Sequence, residues 1–177
     1  MSKQTFRKNL TLAGPPRLAK KLIVSEAGLS RFAKSLAARV LKNSSAKSAT
    51  VIALSGELGA GKTTFTKAFL KFLGVREAVT SPTFILFRPY PLPQSFKLKA
   101  ISYKLPFQMA YHIDCYRLED PKELLRLGLK EMLANPRHIV VIEWAERIKK
   151  YLPKSAMWLT LKHGPKKNQR CIAILGL

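Results

Sequence analysis

A glycine-rich octapeptide limits the possible folds of this chain more than any other feature. Residues 56–63 (GELGAGKT) fit the phosphate-loop pattern G-x-x-x-x-G-K-[ST]. The strand-like apolar run 51–54 precedes the loop and a helical pattern from Lys62 follows it, which is the context that such a loop requires. In that setting consecutive backbone N–H groups and the helix N-terminus point at a phosphate. We predict that the phosphate-binding residues are Gly56, Glu57, Leu58, Gly59, Ala60, Gly61, Lys62, Thr63 and Thr64.

Within this loop Lys62 is expected to reach the β and γ phosphates, and the Thr63 hydroxyl to hold magnesium. Such a site also needs an acidic group at the end of a neighbouring strand. Asp114 and Glu143 each follow an apolar run, and parallel strands end at the edge of the sheet where the loop lies. Both are predicted as catalytic and metal-binding residues, and which of them is the direct magnesium ligand stays open.

Strand-like and helix-like segments alternate along the chain, which predicts an α/β fold. Two runs, 51–54 and 139–142, are too apolar for a strand with one wet face, so the sheet should be largely parallel and covered on both sides. We therefore expect a P-loop NTPase-like fold, a mostly parallel sheet flanked by helices with a C-terminal antiparallel hairpin. The predicted strands are 22–24, 50–54, 84–87, 107–114, 139–143, 157–162 and 170–175. The predicted helices follow Ser25, run from Lys62 to Leu73, follow Asp120 as far as Leu133, and run from Ala145 to Leu152.

The chain length fits one domain. We assign that domain to residues 21–177, with a basic arm (1–20) before it and an inserted ribbon of basic and aromatic residues (91–105) within it. Phe96 to Ala100 alternate with strand period in that ribbon.

Charge and apolar content narrow the functional classes. Lys and Arg total 32 against 10 acidic residues, so the formal net charge is +22, and seven of those acids fall in residues 101–150. That balance favours a polyanionic partner.

No apolar run reaches the roughly 18 residues of a membrane span. Two cysteines are too few for a disulfide framework, so we expect free thiols and a cytoplasmic protein.

The nucleotide and the reaction class are constrained by motifs that the sequence lacks. It has no Asn-Lys-x-Asp for guanine and no Asp-x-x-Gly switch, so ATP with Mg²⁺ is the expected cofactor. The sequence also lacks an arginine-rich lid over a phosphoryl acceptor, which weakens the case for a small-molecule kinase.

The chain resembles the TsaE (YjeE) family, bacterial ATPases of the tRNA threonylcarbamoyladenosine pathway. The resemblance covers about residues 22–175 and rests on four blocks in order, which are 56–65 (GELGAGKTTF), 81–84 (SPTF), 112–118 (HIDCYRL) and 143–144 (EW). It implies an ATP- and magnesium-binding ATPase that hydrolyses ATP poorly alone and acts with TsaD and TsaB, which modify adenosine 37 of tRNA.

By position, the resemblance implies that Ser81 and Thr83 lie in a switch-like loop near the γ phosphate, Thr83 being a catalytic candidate. It also places Trp144 close to the nucleotide. His112 belongs to a matched block, but a single histidine on a strand is more often a satisfied core residue, and that is our expectation for it.

The basic arm and the 91–105 ribbon exceed the usual pattern of the family. Basic and aromatic side chains interleave in and beside the ribbon, as on surfaces that bind single-stranded nucleic acid, so direct tRNA contact is one hypothesis. A solvated ribbon packed on its own sheet and a partner-docking flap are the alternatives. The residues concerned are Phe96, Lys97, Lys99, Tyr103, Lys104 and Phe107. Two rival functions also stay open, a P-loop small-molecule kinase and an ATP-sensing nucleic-acid-binding module.

Overall fold

The computed structural model describes residues 20–42, 47–82, 85–98, 101–104 and 106–175, and of 20, 96–98 and 101–104 it describes the backbone alone. Almost all of the predicted basic arm therefore lies outside the described residues. The same holds for Thr83 and Phe84, and for the side chains on which the tRNA hypothesis rests, apart from Phe107.

The described residues alternate between strands and helices as the sequence predicts. The strands are β1 (Lys20–Ser25), β2 (Thr50–Gly56), β3 (Phe87–Pro91), β4 (Ser95–Leu98), β5 (Ile101–Lys104), β6 (Met109–Asp114), β7 (His138–Glu143), β8 (Met157–His163) and β9 (Gln169–Leu175). The helices are α1 (Glu26–Lys42), α2 (Lys62–Phe72), α3 (Lys122–Arg126) and α4 (Leu129–Ala134), with a 3₁₀ helix at Ala145–Tyr151.

Seven strands form the main sheet in the order β1-β9-β8-β2-β7-β6-β3. The four central strands β8, β2, β7 and β6 run parallel, while β3 at one edge and the β9–β1 pair at the other are antiparallel to their neighbours. The expected α/β fold with a mostly parallel core and a C-terminal hairpin is confirmed. The parallel core brings the ends of β2, β6 and β7 to one edge of the sheet.

Both faces of the sheet are buried, because alternate side chains of the central strands enter two separate cores. On β7, Ile139 and Val141 pack on the face covered by α1 and α2, whereas Val140 and Ile142 pack on the face covered by α3, α4 and the 3₁₀ helix. This arrangement explains why the central runs read as continuously apolar. No helix in the described ranges is long and apolar enough to cross a membrane.

The predicted strand 84–87 is wrong in its position, because β3 begins at Phe87 and continues through Pro89 to Pro91. The chain turns immediately before it, where Leu86 has φ 62°. Prolines are tolerated in β3 because, among the described strands, it pairs with β6 alone and lies at the sheet edge, where a missing N–H costs no ladder bond.

Two helix predictions also need correction. The helix expected from Asp120 to Leu133 is two short helices, because Gly128 between them has φ +87° and breaks the helical path. The segment after Trp144 is a 3₁₀ helix whose Ile148 departs from helical geometry, not an α-helix. Asp120 caps the first of the two short helices, since its Oδ1 accepts the backbone N–H of Lys122 at 2.9 Å.

Candidate phosphate-binding site

The glycine-rich loop leaves β2 and enters α2 through three glycines with positive φ. These angles are 120° at Gly56, 74° at Gly59 and 100° at Gly61. At Gly56 a Cβ would lie 1.9 Å from the carbonyl oxygen of Leu161 on β8, so the strand pair closes only around a glycine. The loop conformation therefore depends on residues without side chains, as a backbone cradle for an anion requires.

Lys62, the first residue of α2, is 5% exposed and bends back over the loop. Its Nζ donates to the carbonyl oxygens of Gly56 and Glu57, both at 2.8 Å, and lies 3.7 Å from the ring centroid of Trp144. Burial lowers the pKa of the Lys62 ammonium, while nearby carboxylates, that of Glu143 first, oppose the shift. A buried cation held mainly by neutral partners favours an anionic ligand beside it.

The carboxylate of Glu143 lies at the end of β7 and is 2% exposed. Thr63 donates from Oγ1 to Oε2 of Glu143 at 2.8 Å, which ties the start of α2 to the end of the neighbouring strand. On the other side of the carboxylate, Oε1 contacts Thr66 Oγ1 at 3.2 Å and His112 Nε2 at 2.8 Å. The carboxylate is thus fixed from two directions.

Asp114 ends β6 and is in register with Glu143, as expected of two adjacent parallel strands. Ser81 donates from Oγ to Oδ2 of Asp114, and the backbone N–H of Tyr116 donates to Oδ1 at 3.0 Å. The backbone N–H of Asp114 donates to the carbonyl oxygen of Leu86 at 2.9 Å. Asp114 therefore connects the sheet edge to both ends of the segment that contains residues 81–86.

These side chains border a cavity of about 240 Å³ beside the loop. Its walls contain most of the residues that the sequence predicted for the site, Ser81 among them, with Tyr116 in addition. The lining residues are Leu58, Gly59, Gly61, Lys62, Thr63, Thr64, Ser81, Asp114, Tyr116, Glu143 and Trp144. Gly56, Glu57 and Ala60 belong to the loop but do not line the cavity, and Thr83 lies outside the described residues.

Trp144 follows Glu143 directly and is the N-cap of the 3₁₀ helix, with φ 56°. This left-handed conformation is uncommon for a residue with a large side chain. Its ring lies 5.1 Å from that of Tyr116, and the two aromatic rings form the wall opposite the glycine loop. Here Trp144 is only partly buried, so it is available to a ligand.

The donor set fits a magnesium ion only if phosphate oxygens complete the shell. Thr63 supplies a hydroxyl and Glu143 and Asp114 supply carboxylates, which are the oxygen ligands that Mg²⁺ takes. In the described part of the chain no group of three or more His, Cys, Asp or Glu residues could hold a metal by itself. This pattern is typical of a cation that arrives with a substrate phosphate.

Sequence reasoning missed three side chains at or beside the site. His112 and Thr66 contact Glu143, and His163 at the end of β8 reaches the carbonyl oxygen of Leu58 with Nε2 at 3.1 Å. Two of these carried a usable signal. His112 is two residues before Asp114 on a strand and Thr66 is four residues after Lys62 on a helix, so each shares a face with a predicted site residue. The contact of His163 depends on the hairpin and has no local signal.

The sheet core is parallel, a glycine loop joins β2 to α2, and acidic side chains end β7, which lies beside β2, and β6, which lies beside β7. These features define a P-loop α/β protein. The family model described as "Threonylcarbamoyl adenosine biosynthesis protein TsaE" matches residues 23–172. The chain therefore belongs to the TsaE family, which functions in tRNA threonylcarbamoyladenosine biosynthesis.

Individual relatives agree with this assignment. The TsaE protein of Rickettsia bellii is 35% identical over 142 residues, which cover 80% of this chain and 84% of that protein. The TsaE protein of Haemophilus influenzae is 34% identical over 141 residues, covering 80% of each. The crystal structure of YdiB from Bacillus subtilis superposes with a TM-score of 0.59 at 27% identity, covering 89% of this chain and 86% of that one.

Proposed function

We propose that this chain binds ATP with Mg²⁺ at the glycine loop, hydrolyses it, and thereby acts as a nucleotide-driven switch on a TsaD–TsaB transferase complex that modifies tRNA. The hydrogen bond of 2.8 Å between Thr63 and Glu143 carries the proposal. It brings together the hydroxyl and the carboxylate that a P-loop enzyme needs around its cation, at the mouth of a cavity with a buried lysine.

Each residue has a defined task in this scheme. Lys62 exchanges its contacts with the loop carbonyls for contacts with the β and γ phosphates, which relieves a buried cation of imperfect partners. The Thr63 hydroxyl and an acidic side chain hold the cation, and Mg²⁺ when bound neutralises charge that develops on the phosphates. Glu143 and Asp114 divide the remaining work between holding the cation and orienting the attacking water.

Catalysis of this kind needs positioning and charge stabilisation rather than a covalent intermediate. The described site agrees with that requirement, because the carboxylate of Glu143 is fixed on both oxygens and that of Asp114 accepts a hydroxyl and a backbone N–H. Groups that are already fixed need little reorganisation when the charge shifts.

The switch function is supported by the contact between Ser81 and Asp114. This hydrogen bond ties residues 81–82 to the carboxylate at the end of β6. A nucleotide or cation that draws on Asp114 competes for this contact, so occupancy of the site can change the position of Ser81. We infer that the loop of residues 81–84 presents the nucleotide state to the TsaD–TsaB pair.

Titration of the purified chain with Mg-ATP tests the nucleotide site. The fluorescence of Trp144 should change as Lys62 leaves its ring, and Trp144→Phe should abolish that change, since the other tryptophan, Trp158, does not line the cavity. Lys62→Ala should lose affinity, whereas Lys67→Ala, a change at an exposed lysine of the same helix, should not. Absence of both a fluorescence change and calorimetric heat would overturn the proposal.

The switch role needs a separate measurement. ATP hydrolysis should be slow for the chain alone and faster with the TsaD–TsaB pair. Phosphorylation of a small metabolite without either partner would favour the kinase alternative instead. Tight RNA binding with no hydrolysis under any condition would favour the nucleic-acid-binding module.

A further inference from the structure

His112 is a fully buried histidine, with 0% exposure, and the nucleotide chemistry described above does not use it directly. It lies in the interior of β6, between the sheet and α2, and its Nε2 is 2.8 Å from Oε1 of Glu143. The expectation of a satisfied core side chain is wrong, because its Nδ1 has no hydrogen-bond partner among the described residues. A buried polar atom without a partner costs free energy and is rare enough to need a reason.

The sheet register explains why this histidine reaches Glu143. On adjacent parallel strands, Asp114 is paired with Glu143 and His112 is paired with Val141. The two pairs are two residues apart, so His112 and Glu143 lie on the same face of the sheet. The imidazole therefore lies diagonally behind the Glu143 carboxylate, on the side away from Thr63. A shorter or apolar residue at position 112 would leave Oε1 with Thr66 alone, at the longer distance of 3.2 Å.

The partner of Nε2 defines the role of the ring in this contact. Nε2 faces a carboxylate oxygen, which only accepts, so the Nε2–H group donates to Glu143. Nδ1 has no partner among the described residues, so in this part of the chain the bond to Glu143 is the one that holds the ring.

We propose that His112 is a positioning residue, which holds the Glu143 carboxylate so that Oε2 faces Thr63 and the cavity. The expected effect on turnover rests on the proposed function, whereas the contact between His112 and Glu143 does not depend on it. Removal of a residue that orients a ligating or catalytic group in this way lowers activity or metal affinity by about 10- to 100-fold. The ring does not line the cavity, so it acts through Glu143 and not on the substrate.

A matched pair of substitutions separates positioning from simple packing. The side-chain amide nitrogen of Gln is placed like Nε2 of histidine, whereas that of Asn is placed like Nδ1 and falls short of Glu143. His112→Gln should therefore retain most of the turnover, and His112→Asn and His112→Leu should lose about tenfold or more. The affinity for ATP without Mg²⁺ should stay unchanged, because Lys62 and the loop are untouched. His138→Gln, a change at a histidine outside the cavity, should behave like the wild-type chain.

A double-mutant cycle tests whether the effect passes through Glu143. In a Glu143→Gln background, the His112→Leu change should cause no further loss of turnover, because the group that it positions is already disabled. If the losses of turnover in the two single variants multiply in the double variant, the proposal is overturned. Wild-type turnover in His112→Asn would also overturn it. If His112→Leu fails to fold, the same cycle is run with His112→Asn.

The contact can also be read without nucleotide, by NMR of the full chain with ¹⁵N-labelled histidine. His112 should show a proton on Nε2, and Glu143→Leu should change that signal while leaving those of His138 and His163 in place. An Nε2 that carries no proton would overturn the inference even if the chain is an ATPase. If the wild-type chain shows no ATP turnover, the proposed function fails, while the spectrum still decides whether His112 holds Glu143.

Discussion

Thr63 and Glu143, 80 positions apart in sequence, share a hydrogen bond of 2.8 Å between a hydroxyl and a carboxylate. Thr63 is the second residue of the helix after the glycine loop, and Glu143 ends the strand beside β2. The contact therefore ties the start of that helix to the edge of the sheet.

Removal of the Thr63 hydroxyl should weaken the part of ATP affinity that depends on magnesium. We expect Thr63→Val to lower that affinity by about 10- to 100-fold and Thr63→Ser to retain most of it, because serine keeps the oxygen ligand. The measurement is an ATP titration at several Mg²⁺ concentrations. Thr80→Val, at an exposed threonine that does not line the cavity, is the control. An equal loss in the Thr80 and Thr63 variants would contradict the assignment.

Loss of the charge on Glu143 should separate binding from turnover. Glu143→Gln keeps the size of the side chain and can still pair with Thr63, so the ATP affinity should change little. Turnover should fall by about 100-fold or more if the carboxylate orients water or cation in the transition state. Single-turnover hydrolysis measures this directly. Glu146→Gln, at an exposed acid three residues later, should leave turnover unaltered, and wild-type turnover in Glu143→Gln would refute the role.

The glycine loop predicts a difference in stability between two alanine substitutions. Gly56→Ala should destabilise the fold by more than about 2 kcal/mol, since its Cβ would meet the Leu161 carbonyl at 1.9 Å and force β2 and β8 apart. Gly59→Ala should cost only about 1–2 kcal/mol, because its positive φ is strained but its Cβ would make only ordinary contacts, at 3.7 Å and 3.8 Å, with the His163 ring. Urea denaturation of both variants gives the comparison. The reverse order of stability would show that the loop does not pack as described.

The two cysteines should differ in reactivity. Burial, and then the carboxylate of Asp114, raise the pKa of the Cys115 thiol to about 12, so at pH 8 it carries almost no thiolate. We expect iodoacetamide at pH 8 to modify the partly exposed Cys171 and to spare Cys115 in the native chain. Peptide mass spectrometry with a denatured control reads out both sites. Equal labelling of the native cysteines would contradict this expectation.

The raised pKa of the Cys115 thiol also predicts how the free energy of unfolding depends on pH. The folded thiol of Cys115 ionises near pH 12 and the unfolded one near pH 9.0. Between these values the folded state holds the extra proton, so the free energy of unfolding should fall as the pH rises above about 9. Cys115→Ser keeps a polar group but ionises in neither state, and it should lose that part of the decline.

Local features of this protein could be predicted from the sequence. The glycine loop needs its residue types in consecutive order, and the apolar runs of β2 and β7 and the acids that end β6 and β7 could be read from runs of four to six residues. Parallel strands align their carboxyl ends, so the edge on which Asp114 and Glu143 meet the loop also followed from sequence. The family assignment rested on the same short blocks.

The tertiary structure alone decided how these parts are joined. Pro89 reads as a strand breaker, and only the edge position of β3 makes it acceptable. His112 reads as an ordinary core residue until the register of β6 and β7 places it behind Glu143. Spacing along a chain reports which face a side chain occupies, whereas its partner depends on which strand lies alongside, and that is fixed by packing of the whole sheet.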